Sequence, residues 1–291
     1  MTYLETDYGK IRIIDIKQVE DAVCALFIKA NHTPPADVAE SIASGAKRET
    51  SPVGRVVLNR LSDNLKAAAE LDIPICQDTG MAIVFAEVGC DVHLIGGTLE
   101  EAVNRGVARA YLEGGMRCSI VSDPLYSRKN SGDNTPAILY IKHIKGDQIR
   151  LIAAPKGFGS ENMSAIKMFT PSAGEEDIAR FVVDTVCRAG SNPCPPIAVG
   201  IGIGGDFEYS AYLAKYALLR PLNERNRDKR YAALEEKILR EINKTGIGPQ
   251  GFGGDITALS VSIEEAPTHI AGLPVSVNIN CHVIRHAEAL I

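Results

Sequence analysis

The 291-residue sequence contains no tryptophan, and only 5% of it is aromatic. It has no surplus of positive charge either. Lys and Arg number 31 against 36 Asp and Glu, a formal net charge of −5. There is thus no broad basic surface to displace counterions from nucleic acid, and a nucleic-acid partner is not expected. The densest basic run, RNRDKR at 225–230, reads as the solvated start of a helix. No apolar run approaches the roughly 18 residues that span a bilayer, so no membrane partner is expected. The opening MTYLETDYGK is polar and acidic, unlike a secretory leader. The expectation is a cytoplasmic protein whose thiols are reduced. No CxxC pair is present, which sets aside zinc ribbons and fingers. No GxxxxGK[ST] is present either, which sets aside a P-loop. GIGIGG at 200–205 follows a strand pattern and precedes a helix. No acidic residue closes a second strand about 20 residues later, as a ribose ligand would, so the dinucleotide reading is weak.

What is present is a large apolar fraction, 45%, enough for a sizeable core with room for two lobes. The first 70 or so residues read as helical, with apolar residues three and four apart over 17–30, 36–48 and 53–70. From 73 onward strands alternate with helices. MAIVFAEV and DVHLIG read as strands. TLEEAVNRGVARAYLEGG reads as a helix opened by a Thr98–Glu101 capping box. AILYIKHI and QIRLIAAP read as a hairpin closed by KGDQ. Helices are expected at 174–190, 207–219 and 231–246, strands at ITALSVSIEEAP and PVSVNIN, and at PPIAVGIGIGG a strand entering a glycine-rich turn. The fold class is therefore α/β, mixed β-sheets covered by helices, with a helical N-terminal region. The chain reads as a single catalytic domain over 1–291, divisible into a mainly helical lobe (1–72) and an α/β lobe (73–291).

The seven cysteines are irregularly spaced. Cys24 and Cys187 fall on apolar helical faces and read as core, and Cys90 and Cys118 flank strands and read as structural. Three stand in unusual settings. Cys76 in PICQDTG is followed by a polar triplet, Cys194 in NPCPP is stiffened by prolines on both sides, and Cys281 in VNINCHVIRH follows a strand. Buried thiols in tight turns are one reading. A shared metal site is the other. Four thiolates would close an iron–sulfur cluster, whereas three leave one iron open to act as a Lewis acid.

Three further stretches are rich in glycine: KGFGSEN (156–162), GIGIGG and TGIGPQGFGG (245–254). Together with PICQDTG, NPCPPIAVGIGIGG and PTHIAGLPVSVNINC, they resemble the class I, iron–sulfur fumarate hydratase family. The match is to its alpha subunit, or to the N-terminal half of its fused enzymes, and runs in the same order from about residue 40 to the end. The resemblance implies a [4Fe–4S] cluster on Cys76, Cys194 and Cys281. It implies that Gln77 and Asp78 contact a small dicarboxylate such as fumarate or malate, and that Arg117, before the DPL motif, binds a carboxylate. It also implies that Gly157 and Gly159 supply amides and that His269 of PTHIA lines the site. A catalytic role is expected for Gln77, Asp78 and His269.

The sequence departs from the family in two ways. Phe158 stands where a third glycine is expected, and the family's C-terminal half, with the catalytic base, does not follow Ile291. A beta subunit is therefore the expected partner, in an alpha2beta2 assembly or around an alpha homodimer. Reversible hydration of fumarate to (S)-malate is the first functional reading, because KGFGSENMSAIKMFTPSAG resembles the fumarase form of that loop. An L-tartrate or mesaconate dehydratase alpha subunit is the alternative. From other classes come a non-catalytic iron–sulfur assembly or sensor protein and a cysteine-nucleophile enzyme pairing Cys76 with His269.

Overall fold

The computed structural model describes residues 2–7 and 9–291. Met1 and Tyr8 of the polar opening stretch lie outside the described residues. The chain forms two compact units, one of residues 1–35, 67–156 and 285–291, the other of 36–66 and 157–284. Both are α/β, with mixed sheets and helices; elements are numbered in chain order. No helix among the described residues is long and apolar enough to cross a membrane.

The first unit holds two sheets. β1 (Thr2–Thr6), β2 (Gly9–Asp15) and β4 (Val92–Ile95) form one, in the order β1-β2-β4. These opening strands differ from the helical expectation. The period-2 signal of GKIRIID is masked because Arg12 occupies a buried position, donating to the carbonyls of Asp147 and Ile291 at 3.1 and 3.0 Å. β3 (Ile83–Gly89), β5 (Ile138–Ile144), β6 (Ile149–Ala153) and β11 (Ala287–Leu290) form the other sheet, in the order β11-β6-β3-β5. KGDQ does not close a paired hairpin, because β3 lies between β5 and β6, parallel to the first and antiparallel to the second. The near-continuous apolar run of β3 suits a central strand, buried on both faces. α1 (Ile16–His32) and α4 (Leu99–Glu113) complete the core, with Val19, Val23, Phe27, Val103 and Val107 fully or almost fully buried. The Thr98–Glu101 capping box is present, and Cys24 is buried as expected.

The second unit is built on the sheet β7-β10-β8-β9. Its strands are β7 (Ala165–Phe169), β8 (Ile197–Gly205), β9 (Ala258–Thr268) and β10 (Leu273–Asn280). α2 (Ala36–Arg48) belongs to it, as does most of α3 (Pro52–Leu71), together with α5 (Phe158–Glu161), α6 (Glu175–Ala189), α7 (Phe207–Ala217) and α8 (Lys229–Asn243). α8 opens on Asp228, whose carboxylate accepts from the Arg230 amide, so RNRDKR is a capped helix start.

GIGIGG is not a turn: all six residues lie in β8. The two faces of that strand have different tasks, set by its alternation. Ile197, Val199, Ile201 and Ile203 join the core with α6 and α8. Gly200 and Gly202 let α7 lie directly on the strand, since a Cβ at either would stand 2.0 Å from the carbonyl oxygen of Ala214 or Ser210. Cys187 is exposed rather than core, because the buried stripe of α6 is Ile178, Ala179, Val182, Val186 and Ala189.

Candidate active site

In the second unit, β8 and β10 run antiparallel with Ala198 opposite Asn280. The start of β8 and the end of β10 therefore share one edge of the sheet, and there the structure brings Cys194 and Cys281 together. His282 ties them. Its amide reaches the Cys194 carbonyl at 3.3 Å, and its Nδ1 lies 3.0 Å from the same oxygen. Gln250 clamps the next residue, its amide and its Nε2 both donating to the Pro195 carbonyl, at 2.7 and 2.6 Å. Cys194 and Gln250 are non-glycine residues in left-handed backbone, with φ of +55° and +53°. Such conformations cost about 1–2 kcal/mol each and gather at functional sites. Cys194 is exposed and Cys281 half-buried, and neither is in a disulfide. Soft, accessible thiols on a pre-set backbone fit the donor set an iron–sulfur cluster requires.

The glycine turn of KGFGSEN lies in the same unit. Gly157 N-caps α5, and a Cβ on Gly159 would stand 3.7 Å from the Asn192 carbonyl, two residues before Cys194. Phe158, where the family pattern expects glycine, is exposed. TGIGPQGFGG is anchored from below by Glu49, almost fully buried, whose carboxylate accepts from the amides of Ser51, Asp255 and Ile256 at 2.9–3.0 Å. His269 is elsewhere. It is exposed in the turn after β9, at the far end of β10 from Cys281. The eight residues of β10 rise roughly 25 Å in all, so the second unit does not bring His269 to the cysteine pair.

The first unit carries Cys76, Gln77, Asp78 and Arg117. The Cys76–Gly80 segment has no regular structure, yet it is held at nearly every residue. The Ile75 amide donates to the Asn31 carbonyl at 2.9 Å. The Asp78 carboxylate accepts from the Gly80 amide at 3.1 Å. Buried Tyr111 donates to the carbonyls of Thr79 and Gly80, and buried Asn134 donates to Gly80. Burial pushes the Tyr111 phenol well above its ordinary range, so it stays a neutral donor. The Thr79 hydroxyl accepts from the Arg117 amide and donates to the Arg117 carbonyl, both at 3.0 Å. This places Arg117 beside the segment, exposed, with no partner for its guanidinium among the described residues. The DPL motif that follows is a self-capped turn. Amides of Ser127, Leu125 and Tyr126 hold the Asp123 carboxyl down at about 2.

Gly80 closes this segment with φ +84°, and a Cβ there would stand 2.7 Å from the Lys156 amide nitrogen. Neither backbone can give way, because Met81 and Lys156 exchange a pair of hydrogen bonds at 2.9 Å. Gly80→Ala is expected to cost about 3 kcal/mol in a denaturant titration, part left-handed strain and part steric overlap.

Among the described residues no three His, Cys, Asp or Glu side chains are gathered to hold a metal ion. The sequence offered little warning of Asn31, Tyr111, Asn134, Glu49 or Gln250 as supports. Each is distant in the chain from the segment it holds, and only Gln250, set among glycines, stands out locally.

The chain matches the fumarate hydratase (Fumerase) family over residues 20–290. It is 44% identical over 276 residues to a Methanocaldococcus jannaschii protein provisionally named L(+)-tartrate dehydratase subunit alpha, covering 93% of this chain and 96% of that one. It is 31% identical over 259 residues to an Escherichia coli O157:H7 protein named L(+)-tartrate dehydratase subunit alpha, covering 88% and 85%. The protein of that name from Escherichia coli K12 is 30% identical over the same shares of each chain.

Proposed function

Because the chain belongs to the fumarate hydratase (Fumerase) family, a family of carbon–oxygen hydro-lyases, we propose that it is the alpha subunit of an iron–sulfur hydro-lyase whose first substrate is L(+)-tartrate. The juxtaposition of Cys194 and Cys281 at one sheet edge is the observation that carries this reading. Fumarate hydration, the first expectation from sequence, is less well supported, since the relatives described above carry tartrate dehydratase names. Part of the loop likeness behind it is architectural. Ala165–Phe169 of KGFGSENMSAIKMF form strand β7, paired with β10.

On this proposal Cys76, Cys194 and Cys281 hold the cluster, which supplies an electrophile for a departing hydroxyl. The chain's own residues bind and orient. Arg117, unpaired and exposed beside the Cys76–Gly80 segment, forks onto one carboxylate. Gln77, exposed on that segment, and Asp78, fixed through Gly80, orient the hydroxyl-bearing carbon. Amides of Gly157 and Gly159 face the second carboxylate. Removal of a proton from the neighbouring carbon and loss of hydroxide from the first give water and an enol. For a 2,3-dihydroxy diacid that enol tautomerises to a 2-oxo diacid. A beta subunit supplies the base.

A substrate panel on the anaerobically purified complex of this chain with its beta subunit tests the proposal. L(+)-tartrate dehydration is expected to exceed fumarate and mesaconate hydration in kcat/KM by at least about tenfold, the discrimination one well-placed hydroxyl contact can give. The reverse order would restore the fumarate reading. Absence of iron and sulfide, with no turnover of any diacid, would overturn the hydro-lyase.

A further inference from the structure

Arg285 follows Cys281 by four residues and lies in the first unit. It is only 3% exposed. Its Nη1 donates to Asn31 Oδ1 at 2.9 Å and to the Asp78 carbonyl at 2.8 Å. Its buried Nε has no hydrogen-bond partner. Arg285 makes no ion pair among the described residues. The nearby Tyr111 offers no negative charge, because its buried hydroxyl donates to two carbonyls and stays protonated.

This is an unusual expense for a fold. A buried guanidinium loses several kcal/mol of hydration, and proteins ordinarily answer it with a carboxylate. Arg12, the other buried arginine of this unit, donates to the main-chain oxygens of Asp147 and of Ile291, the last residue. Arg285 instead grips the main chain of the residue that follows Gln77. Fixing the Asp78 carbonyl fixes the peptide plane between Asp78 and Thr79, and with it the Asp78 Cα from which that side chain departs.

We propose that Arg285 is a positioning residue for the Cys76–Gly80 segment, and that its unanswered charge is kept for the anionic ligand of that segment. On the function proposed above, which this inference deepens, the ligand is the substrate dicarboxylate. Asn31 then has a definite task. It accepts from Arg285 without neutralising it, while its side-chain amide also donates to the Phe27 carbonyl at 3.1 Å and hydrogen-bonds the Tyr111 hydroxyl. An aspartate there would form the ion pair that the fold leaves unmade.

The test uses the complex with the beta subunit and two readouts, steady-state kinetics with L(+)-tartrate and amide hydrogen exchange of the whole chain. Arg285→Gln is expected to raise KM about 30-fold, through loss of the buried charge and of its hold on the segment. Exchange over Gln77–Gly80 should rise at least about tenfold while α4 and β3 stay as protected as before. Arg285→Lys keeps the charge and should hold KM within about fivefold. Asn31→Asp should leave exchange low, yet raise KM about tenfold by answering the charge internally. A merely structural arginine would instead give Asn31→Asp a normal KM, or Arg285→Gln a general rise in exchange with KM unchanged. Either result overturns the proposal. If the wild-type complex turns over no diacid, the hydro-lyase reading fails. The exchange pattern then decides on its own: a rise confined to Gln77–Gly80 in Arg285→Gln sustains the positioning role, and no local rise removes it.

Discussion

Cys194→Ser, in complex reconstituted anaerobically with iron and sulfide, is expected to lose most of the visible absorbance of an iron–sulfur cluster and more than about 100-fold of its activity. Serine is nearly isosteric, so the left-handed backbone at φ +55° and the contacts of the Cys194 carbonyl with His282 are kept. What changes is the donor. A hydroxyl is a hard, weakly acidic ligand, and iron–sulfur clusters are held by soft thiolates. The fold should hardly notice, because the side chain is exposed and fills no core space. Thermal unfolding of the metal-free variant should match that of the unaltered protein within a few degrees. Cys187→Ser is the control. That thiol is equally exposed but lies on α6, among residues with no link to the site. Full absorbance in Cys194→Ser would remove Cys194 from the ligand set. Equal losses in both variants would point to general thiol damage rather than ligation.

Cys194 also shows how much of the molecule the sequence discloses. Its odd setting is visible in NPCPP alone, because prolines on both sides exclude helix. Its neighbour Cys281 is visible as a residue just past an alternating strand. Their adjacency is not visible, because it depends on β10 pairing antiparallel with β8, a register no local pattern encodes. The amphipathic helices α4, α6 and α8 are readable from spacing and caps. The strands that fail are those whose alternation is interrupted, as by buried Arg12 in β2, or whose partner is distant, as where β3 separates β5 from β6. Glycine-rich stretches mislead in one particular way. GIGIGG has the composition of a ligand-binding turn, yet its glycines admit helix α7. PICQDTG is the opposite case. Its polarity marks it as a site, but the groups that hold it, Asn31, Tyr111, Asn134 and Arg285, come from four separate places in the chain.

The isolated chain should take up iron and sulfide but turn over L(+)-tartrate at least about 1,000-fold more slowly than its complex with the beta subunit, the loss that follows when a general base is missing. The hydrogen to be removed sits on carbon and is weakly acidic, so a base must be held against it. On the function proposed above, that base belongs to the beta subunit rather than to His269 or Asp78 of this chain. His269 is exposed at the far end of β10 from Cys281, its Nδ1 accepting from the Ala271 amide at 3.1 Å. The Asp78 carboxylate accepts from the Gly80 amide, which serves to shape its own loop. On that proposal binding does not need the missing base, because the groups assigned to it, Arg117, Gln77 and the glycine amides, belong to this chain. Titrating beta subunit into a fixed amount of anaerobically loaded chain should therefore raise kcat steeply, to a plateau at equimolar ratio, while KM changes by less than about tenfold. Full turnover by the chain alone would place the base within it, and His269→Asn and Asp78→Asn would then show which residue it is.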